Sequence, residues 1–203
     1  YLNRKIGSHY MAPARNDTVS KLLPRWRKWE QKYGSLEGIA HEAHKSLKAS
    51  SVQQTYLKRR KIYEFVDEGH LGCLDGFITF PVYDSRSTLL DIVVRSTSRI
   101  IDTRYVVSPL VDGTRSLYVP SWERVNQSET VYCVFGIIDA ISLHLAGLPV
   151  VTGITGKSLS PDLLEPLRKK FIILPDMDEE EDAHRLANKL GWRCRVVEPK
   201  YPE

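Results

Sequence analysis

Between residues 17 and 65 apolar side chains recur at three- and four-residue spacing, the period of a helix with one buried face. Val19, Leu22, Leu23 and Trp26 make a first stripe, extended by Trp29, with Asp17 or Thr18 as its cap and Pro24 as a bend or interruption. Gly34 breaks that pattern. Leu36, Ile39, Ala40, Ala43 and Leu47 then mark a second helix over about 36–48, and a third runs over roughly 52–66. That third segment is basic on one side through Lys58, Arg59, Arg60 and Lys61. From residue 69 the period shortens and Gly69, Gly72 and Gly76 punctuate the chain. Phe77–Phe80, ended by Pro81, and Leu89–Val94 flank a polar turn and predict a hairpin. Arg104–Val107 and Ser116–Val119 are further short strands, so residues 67–120 read as a small antiparallel-rich sheet.

After Trp122 strands and helices alternate. Strands are expected at Thr130–Phe135, Pro149–Thr152, Phe171–Leu174 and Arg193–Val197. The helices between them are Ile138–Ala146, closed by Gly147; Ser160–Lys169, with Ser160 as cap and Pro161 in the first turn; and Glu179–Leu190. Strands separated by helices of this length imply a parallel sheet with right-handed crossovers. The fold class is therefore α/β. A basic N-terminal subdomain of helices and a small mixed sheet, 1–125, precedes a parallel α/β domain, 126–203.

Composition narrows the picture. With 203 residues, 42% of them apolar and 27% charged, the chain can bury a core in one domain or two. No stretch approaches the length of an uncharged membrane span, and the opening residues lack the apolar centre of a signal peptide. Cys73, Cys133 and Cys194 form no paired motif, which argues against a zinc site or a disulfide scaffold and fits a reducing compartment such as the cytoplasm. A chain opening on Tyr1 and stopping at Glu203 reads as a segment of something larger. The net charge of +4 is unevenly spread: residues 1–60 carry thirteen Lys or Arg against four acids, while residues 174–182 carry six acids in nine positions. A basic half facing phosphates and an acidic knot holding a divalent cation would account for the split; two solvated helix faces of opposite sign would as well.

Open parallel sheets bind ligands at the carboxyl ends of their strands. Three loops leave those ends: Phe135–Asp139, Thr152–Lys157 and Pro175–Asp178. Asp139, Asp176 and Asp178 are thus expected to converge, and alternate residues of an extended D-x-D point the same way, which suits Asp176 and Asp178 sharing one Mg²⁺. The same Asp178 also reads simply as the cap of the following helix.

The order of these elements resembles the Toprim domain. That family runs from an apolar strand through Glu-Gly-x-x-Asp-Ala, a short helix and a Gly to a Gly-bearing loop, then to a strand ending in Asp-x-Asp and a helix. Gly136, Asp139, Ala140, Gly147, Gly156, Asp176 and Asp178 fall in register over about 68 residues. Upstream, Gly76–Asp84 with Val93-Val94-Arg95 is similar to the G-x-x-x-F-P-x-x-D…G-x-R stretch of bacterial-type (DnaG-like) primases. Arg104–Pro109 is similar to their K-Y-x-x-S-P segment, Leu117-Tyr118 to their L-Y, and Tyr1-Leu2-x-x-Lys5 to their Y-L-x-x-R-G opening. The resemblance implies the RNA-polymerase core of a primase, with Mg²⁺ (or Mn²⁺) as cofactor and Asp139, Asp176 and Asp178 as its catalytic carboxylates. It further implies single-stranded DNA template and NTPs as partners, with a replicative helicase as a further one, in phage or plasmid replication. Arg95, Arg104, Tyr105 and Lys157 are then the expected contacts to phosphates or bases.

Three departures stand out. Phe135 occupies the position of the family's acid/base glutamate, and removing such a group costs on the order of 10²–10⁴ in rate. Ser87 replaces a turn glycine, and Asp91 sits where the family prefers an apolar residue or glycine. Glu179, Glu180 and Glu181 are the nearby acids, with nothing in the sequence to choose between them. The expectation is a primase-like protein that binds single-stranded nucleic acid with impaired primer synthesis. The alternative is a non-catalytic template-binding or helicase-associated module; a Toprim nuclease is disfavoured because it would need the same glutamate.

Overall fold

The computed structural model describes residues 13–97, 105–107, 116–154 and 159–198, with side chains described from residue 23 onward except at 105–107. Three helices open it: α1 (Pro13–Tyr33), α2 (Leu36–Lys48) and α3 (Ser51–Arg59). The α1 helix starts four residues before the expected cap and continues through Pro24, so the proline does not end it. Ser35 caps α2, its hydroxyl accepting the Gly38 N–H at 3.1 Å. The third helix stops at Arg59, short of the expected 66, and a single 3₁₀ turn at Tyr63–Phe65 follows.

Next comes a four-stranded antiparallel sheet, β1 (Gly72–Leu74), β2 (Phe77–Tyr83), β3 (Leu89–Ser96) and β4 (Tyr105–Val107), in spatial order 1-2-3-4. Alternation along its two long strands sorts side chains into two cores. Phe77, Ile92 and Val94 face Trp26, Trp29, Ile39 and Ala43 of α1 and α2. Ile78, Phe80, Val82 and Val93 face inward, toward the remainder of the chain. Pro81 lies within β2 rather than ending it. Where α2 crosses β1 the backbones approach so closely that a Cβ on Gly72 would lie 2.5 Å from the Ala43 carbonyl carbon.

The second sheet contains β5 (Leu117–Tyr118), β6 (Thr130–Val134), β7 (Val150–Gly153), β8 (Lys170–Ile173) and β9 (Cys194–Val196) in the order 5-7-6-8-9. Its last four members are parallel, as the alternating pattern implies. Leu117-Tyr118 departs from expectation: it pairs antiparallel with β7, through Leu117↔Gly153 and Tyr118↔Thr152, instead of joining the first sheet. Both of its residues are buried, Tyr118 with the inner core and Leu117 with the outer one, and a strand buried on both faces belongs inside a layered sheet.

Four helices accompany this sheet: α4 (Trp122–Gln127), α5 (Ile137–Leu145), α6 (Pro161–Leu164) and α7 (Glu180–Leu190). The α6 helix is shorter than expected. It tightens into a 3₁₀ turn at Glu165–Leu167, where Pro166 has no N–H to continue the ladder. Ile137, Ile138 and Ile141 of α5 join Val134 and Val150 and the inner face of the first sheet in one core, so α5 lies between the two sheets' hydrophobic faces. Val125, Leu164, Ala183, Leu186 and Leu190 cover the other face, against Val131, Cys133, Phe135 and Phe171.

A polar clip ties these layers. The Arg124 Nη1 donates to the His144 carbonyl at 2.6 Å and stands 3.2 Å from His144 Nδ1, while His144 Nε2 lies 2.7 Å from Glu68 Oε1. A guanidinium can only donate, so Nδ1 accepts and Nε2–H donates to the carboxylate. His144, 3% exposed, thereby joins α4, α5 and the segment before β1, with the Phe65 ring edge-on to it. Among the described residues no helix is long and apolar enough to cross a membrane.

Candidate functional site

The carboxyl ends of β6 and β8 lie side by side, because the two strands are parallel neighbours with Cys133 opposite Ile173. The loops leaving them carry Asp139 and Asp176. Asp139 sits in the first turn of α5, where the helix dipole favours an acid, and Gly136 is the helix's N-cap. The Asp139 carboxylate folds back over that glycine so closely that a Cβ there would stand 2.1 Å from Oδ2. Asp139 keeps solvent access, yet the surrounding protein pushes its carboxyl above the usual range, and the Asp176 charge adds to the push. Its own backbone N–H, Arg95 and Arg60 oppose the rise.

Glu179 belongs to the same cluster, and sequence alone gave no reason to prefer it over Glu180 or Glu181. The loop turns at residues 177–179, so the D-x-D is not the extended strand end that was expected to orient Asp176 and Asp178. The turn instead brings Glu179 back: its Oε2 accepts the Asp176 N–H at 3.2 Å, and its own N–H donates to the Asp176 carbonyl at 3.0 Å. Burial raises the Glu179 carboxyl, the Asp176 N–H lowers it, and the charges of Asp176, Asp178 and Asp139 raise it further. Four carboxylates therefore feel one another. The Asp178 turn position also leaves the helix cap to Glu179, which precedes Glu180 at the start of α7.

Phe135 does not look into this cluster. It continues the Val131, Cys133 series on the face of β6 that packs under α6 and α7, and it is 4% exposed among Val119, Val151 and Leu159. An acid in the same place would be buried among apolar side chains.

Positive charge approaches from the first sheet. On β3 the odd-numbered residues share the inward face of Val93, which puts Arg95 on that side, and Arg95 is 8% exposed and within electrostatic reach of Asp139. Arg60, at the end of α3, also reaches Asp139. It belongs to an exposed run in which Arg59 and Arg60 lie 5.9 and 5.7 Å from the Tyr56 ring centre, and Lys58 lies 4.8 Å from that of Tyr63. Tyr105 is paired with Arg95 through the β3–β4 ladder. Arg104 and Lys157 lie outside the described residues.

Asp139, Asp176, Asp178 and Glu179 are oxygen donors, the type that hard divalent ions such as Mg²⁺ or Mn²⁺ take, and the Asp139 and Glu179 carboxyls are raised first by burial and then by the neighbouring acids. Among the described residues no group of three or more His, Cys, Asp and Glu side chains is placed to hold a metal ion. Mg²⁺ commonly takes one or two carboxylates and fills its other positions with water and substrate phosphate.

No family model matches the chain. A stretch of 111 residues is 32% identical to a DNA primase of Campylobacter jejuni subsp. jejuni; it is 50% of this chain and 18% of that protein, so the chain corresponds to a minor part of its relative's length. Among solved structures, a DnaG catalytic core superposes with a TM-score of 0.69 at 16% identity, covering 84% of this chain and 73% of that one. A DnaG primase catalytic domain bound to single-stranded DNA superposes with a TM-score of 0.65 at 17% identity, covering 89% and 76%.

Proposed function

From a chain that has the fold of the DnaG-type primase catalytic core, we propose a primase-like protein that binds single-stranded DNA template and a divalent cation, with its capacity for primer synthesis weakened. The observation that carries the proposal is the meeting of opposite charges at Asp139. Arg95 and Arg60 reach it from the N-terminal, basic side, and Asp176 reaches it from the parallel sheet. Phosphoryl transfer asks a protein mainly for positioning and charge stabilisation, and this arrangement offers both signs within one site.

In this reading Asp139, Asp176 and Asp178 hold Mg²⁺ or Mn²⁺. When bound, the ion neutralises charge on the phosphate oxygens of an incoming NTP. The guanidinium of Arg95 is fixed by burial in β3, so it offers a preorganised positive charge to the same phosphates. Arg60 and its neighbours, with Tyr56 and Tyr63 between them, supply a sequence-tolerant surface for the template backbone and bases. Arg104, Tyr105 and Lys157 extend that surface in the proposal. Under the division into 1–125 and 126–203, the proposed template contacts other than Lys157 fall in the first part and the metal ligands in the second.

Phe135 is the reason for weakened synthesis. It cannot take a proton, and Glu179 is the acid left beside Asp139 and Asp176 for that work. A second reading, a non-catalytic template-binding or helicase-associated module, is favoured by the packing of Phe135 into an apolar core. Primer formation on single-stranded template with NTPs and Mg²⁺ or Mn²⁺ separates the two. Slow synthesis abolished by Glu179→Gln supports the first; no product under any metal supports the second; robust synthesis indifferent to Glu179 overturns the assignment of Phe135.

A further inference from the structure

The first sheet carries positive charge on both faces of one end. Ile78 lies opposite Arg95 in the β2–β3 ladder, and Arg95 reaches inward to Asp139. Phe77, the residue before, faces the other way and packs with Trp26 and Trp29 of α1. The Arg25 guanidinium lies over the Phe77 ring, 5.3 Å from its centre. One sheet layer therefore separates Arg95 from Arg25.

Arg25 belongs to a row. Lys21, Arg25, Lys28 and Lys32 follow one another along α1 at steps of four, three and four residues, which keeps them on one side of the helix. Eleven residues of helix extend about 16 Å. A duplex strand carries a phosphate about every 3.4 Å of its axis, so the row faces several in succession. Arg25, Lys28 and Lys32 are exposed. Among the described residues Arg25 and Lys28 form no ion pair, so no acid of the protein neutralises them by contact. With Pro24 they border an open hollow of about 510 Å³, with Asp75 as the acid in its lining. Asp75 already accepts the Trp29 indole N–H at 3.0 Å.

This row differs from the basic run at the end of α3. There Tyr56 and Tyr63 stand among the cations and offer ring faces to unpaired bases. On α1 the tryptophans are buried, and Tyr33, half-buried, sits at the far end beside Lys32. Exposed cations without open rings fit a backbone whose bases are already paired.

We propose that Arg25 and Lys28, with Lys32 beyond them, bind the phosphate backbone of a duplex arm that continues from the single strand held at the Asp139 site. The path rests on the function proposed above. The strand leaves at the Arg95 end of the first sheet, and the arm rounds the β1–β2 turn at Asp75-Gly76 to reach α1. Contacts of this kind position a duplex without reading its sequence.

The test is anisotropy of two labelled DNAs with the whole chain over a range of salt: a single strand, and the same strand continued into a hairpin duplex. Wild type should bind the tailed hairpin more tightly than the strand and with a steeper log–log salt slope. Arg25→Gln/Lys28→Gln should abolish that gain, making the slope on the tailed hairpin shallower by about 1.8, the share of two phosphates of B-DNA. Its binding of the single strand should be that of wild type. Glutamine is a good helix former and both positions are exposed, so the variant keeps its fold. Arg27, exposed but off the row, is the control: Arg27→Gln removes an equal charge and should bind both DNAs as wild type does. No gain from the hairpin in wild type, equal losses on both DNAs in the double variant, or equal effects of Lys28→Gln and Arg27→Gln would each overturn the duplex site. Failure of the reading above looks different. Arg60→Gln would then bind the single strand as wild type does, while a hairpin gain that still needs Arg25 and Lys28 would keep the site on α1.

Discussion

Gly136→Ala separates the geometry of the Asp139 site from the stability of the fold. The backbone at Gly136 has φ −131°, which alanine adopts without strain. Replacing glycine at such a position stabilises by about 0.4–1 kcal/mol through the unfolded chain. Glycine is also the better helix cap, and losing it costs on the order of 0.5–1 kcal/mol. The two nearly cancel, so the melting temperature should move little. The site should respond strongly. The new methyl would stand 2.1 Å from Asp139 Oδ2, more than an ångström inside ordinary van der Waals contact near 3.4 Å, and the nearest neighbour is the free end of a side chain, not backbone. The carboxylate must therefore leave its present position by about an ångström. Displacements of that size cost roughly 10²-fold at a positioned site. Isothermal titration with Mn²⁺ reads the effect: binding should weaken by tenfold or more, and Asp139→Asn added to Gly136→Ala should cause little further loss, since both act on one ligand. Wild-type Mn²⁺ affinity in Gly136→Ala would show that Asp139 does not hold the metal.

Three further outcomes follow from particular contacts. Phe135→Glu, which restores the family's residue type, should destabilise by about 3–5 kcal/mol, because it removes a packed ring and buries a carboxyl among apolar side chains; a variant as stable as wild type in urea melts would mean that residue 135 can face the site. His144→Ala leaves Arg124 and Glu68 without their bridge and should cost about 2–3 kcal/mol, with His144→Gln recovering part of it, since an amide also donates and accepts; equal losses in both variants would count against the clip. Asp139 and Glu179 both have raised folded-state carboxyl pKa values, so the folded state binds more protons than the unfolded one just above their ordinary values of 3.8 and 4.5. Their contribution to stability is therefore present below those values and is lost as pH rises through the raised ones. Relative to Asp139→Asn, wild type should lose stability across that window; parallel melting curves for the two proteins would contradict the shift.

How much of this could be read in advance depends on range. The α2 helix has the bounds its apolar stripe predicted, and the alternating pattern after Trp122 predicted that β6 through β9 run parallel, though not their order, because both signals are local. Leu117-Tyr118 was assigned to the wrong sheet: two apolar residues carry no information about their partner, and its pairing with β7 spans the chain segment that contains α4, β6 and α5. The meeting of Asp139 and Asp176 was legible, since loops leaving neighbouring parallel strands converge. Glu179 and Arg60 were not. The first depends on a turn at 177–179 that the D-x-D spacing hides, and the second on where α3 ends. His144 gave no signal, since a histidine on a helix face names neither Arg124 nor Glu68.

The central claim, that opposed charges around Asp139 belong to a single-stranded nucleic-acid site, is tested most directly by anisotropy of a labelled single-stranded DNA over a range of salt. The account predicts affinity that falls steeply with salt, and in Arg60→Gln a log–log slope shallower by about 0.7, the share of one phosphate contact on a single strand. Affinity that ignores salt, or an Arg60→Gln variant with the wild-type slope and affinity, would contradict it.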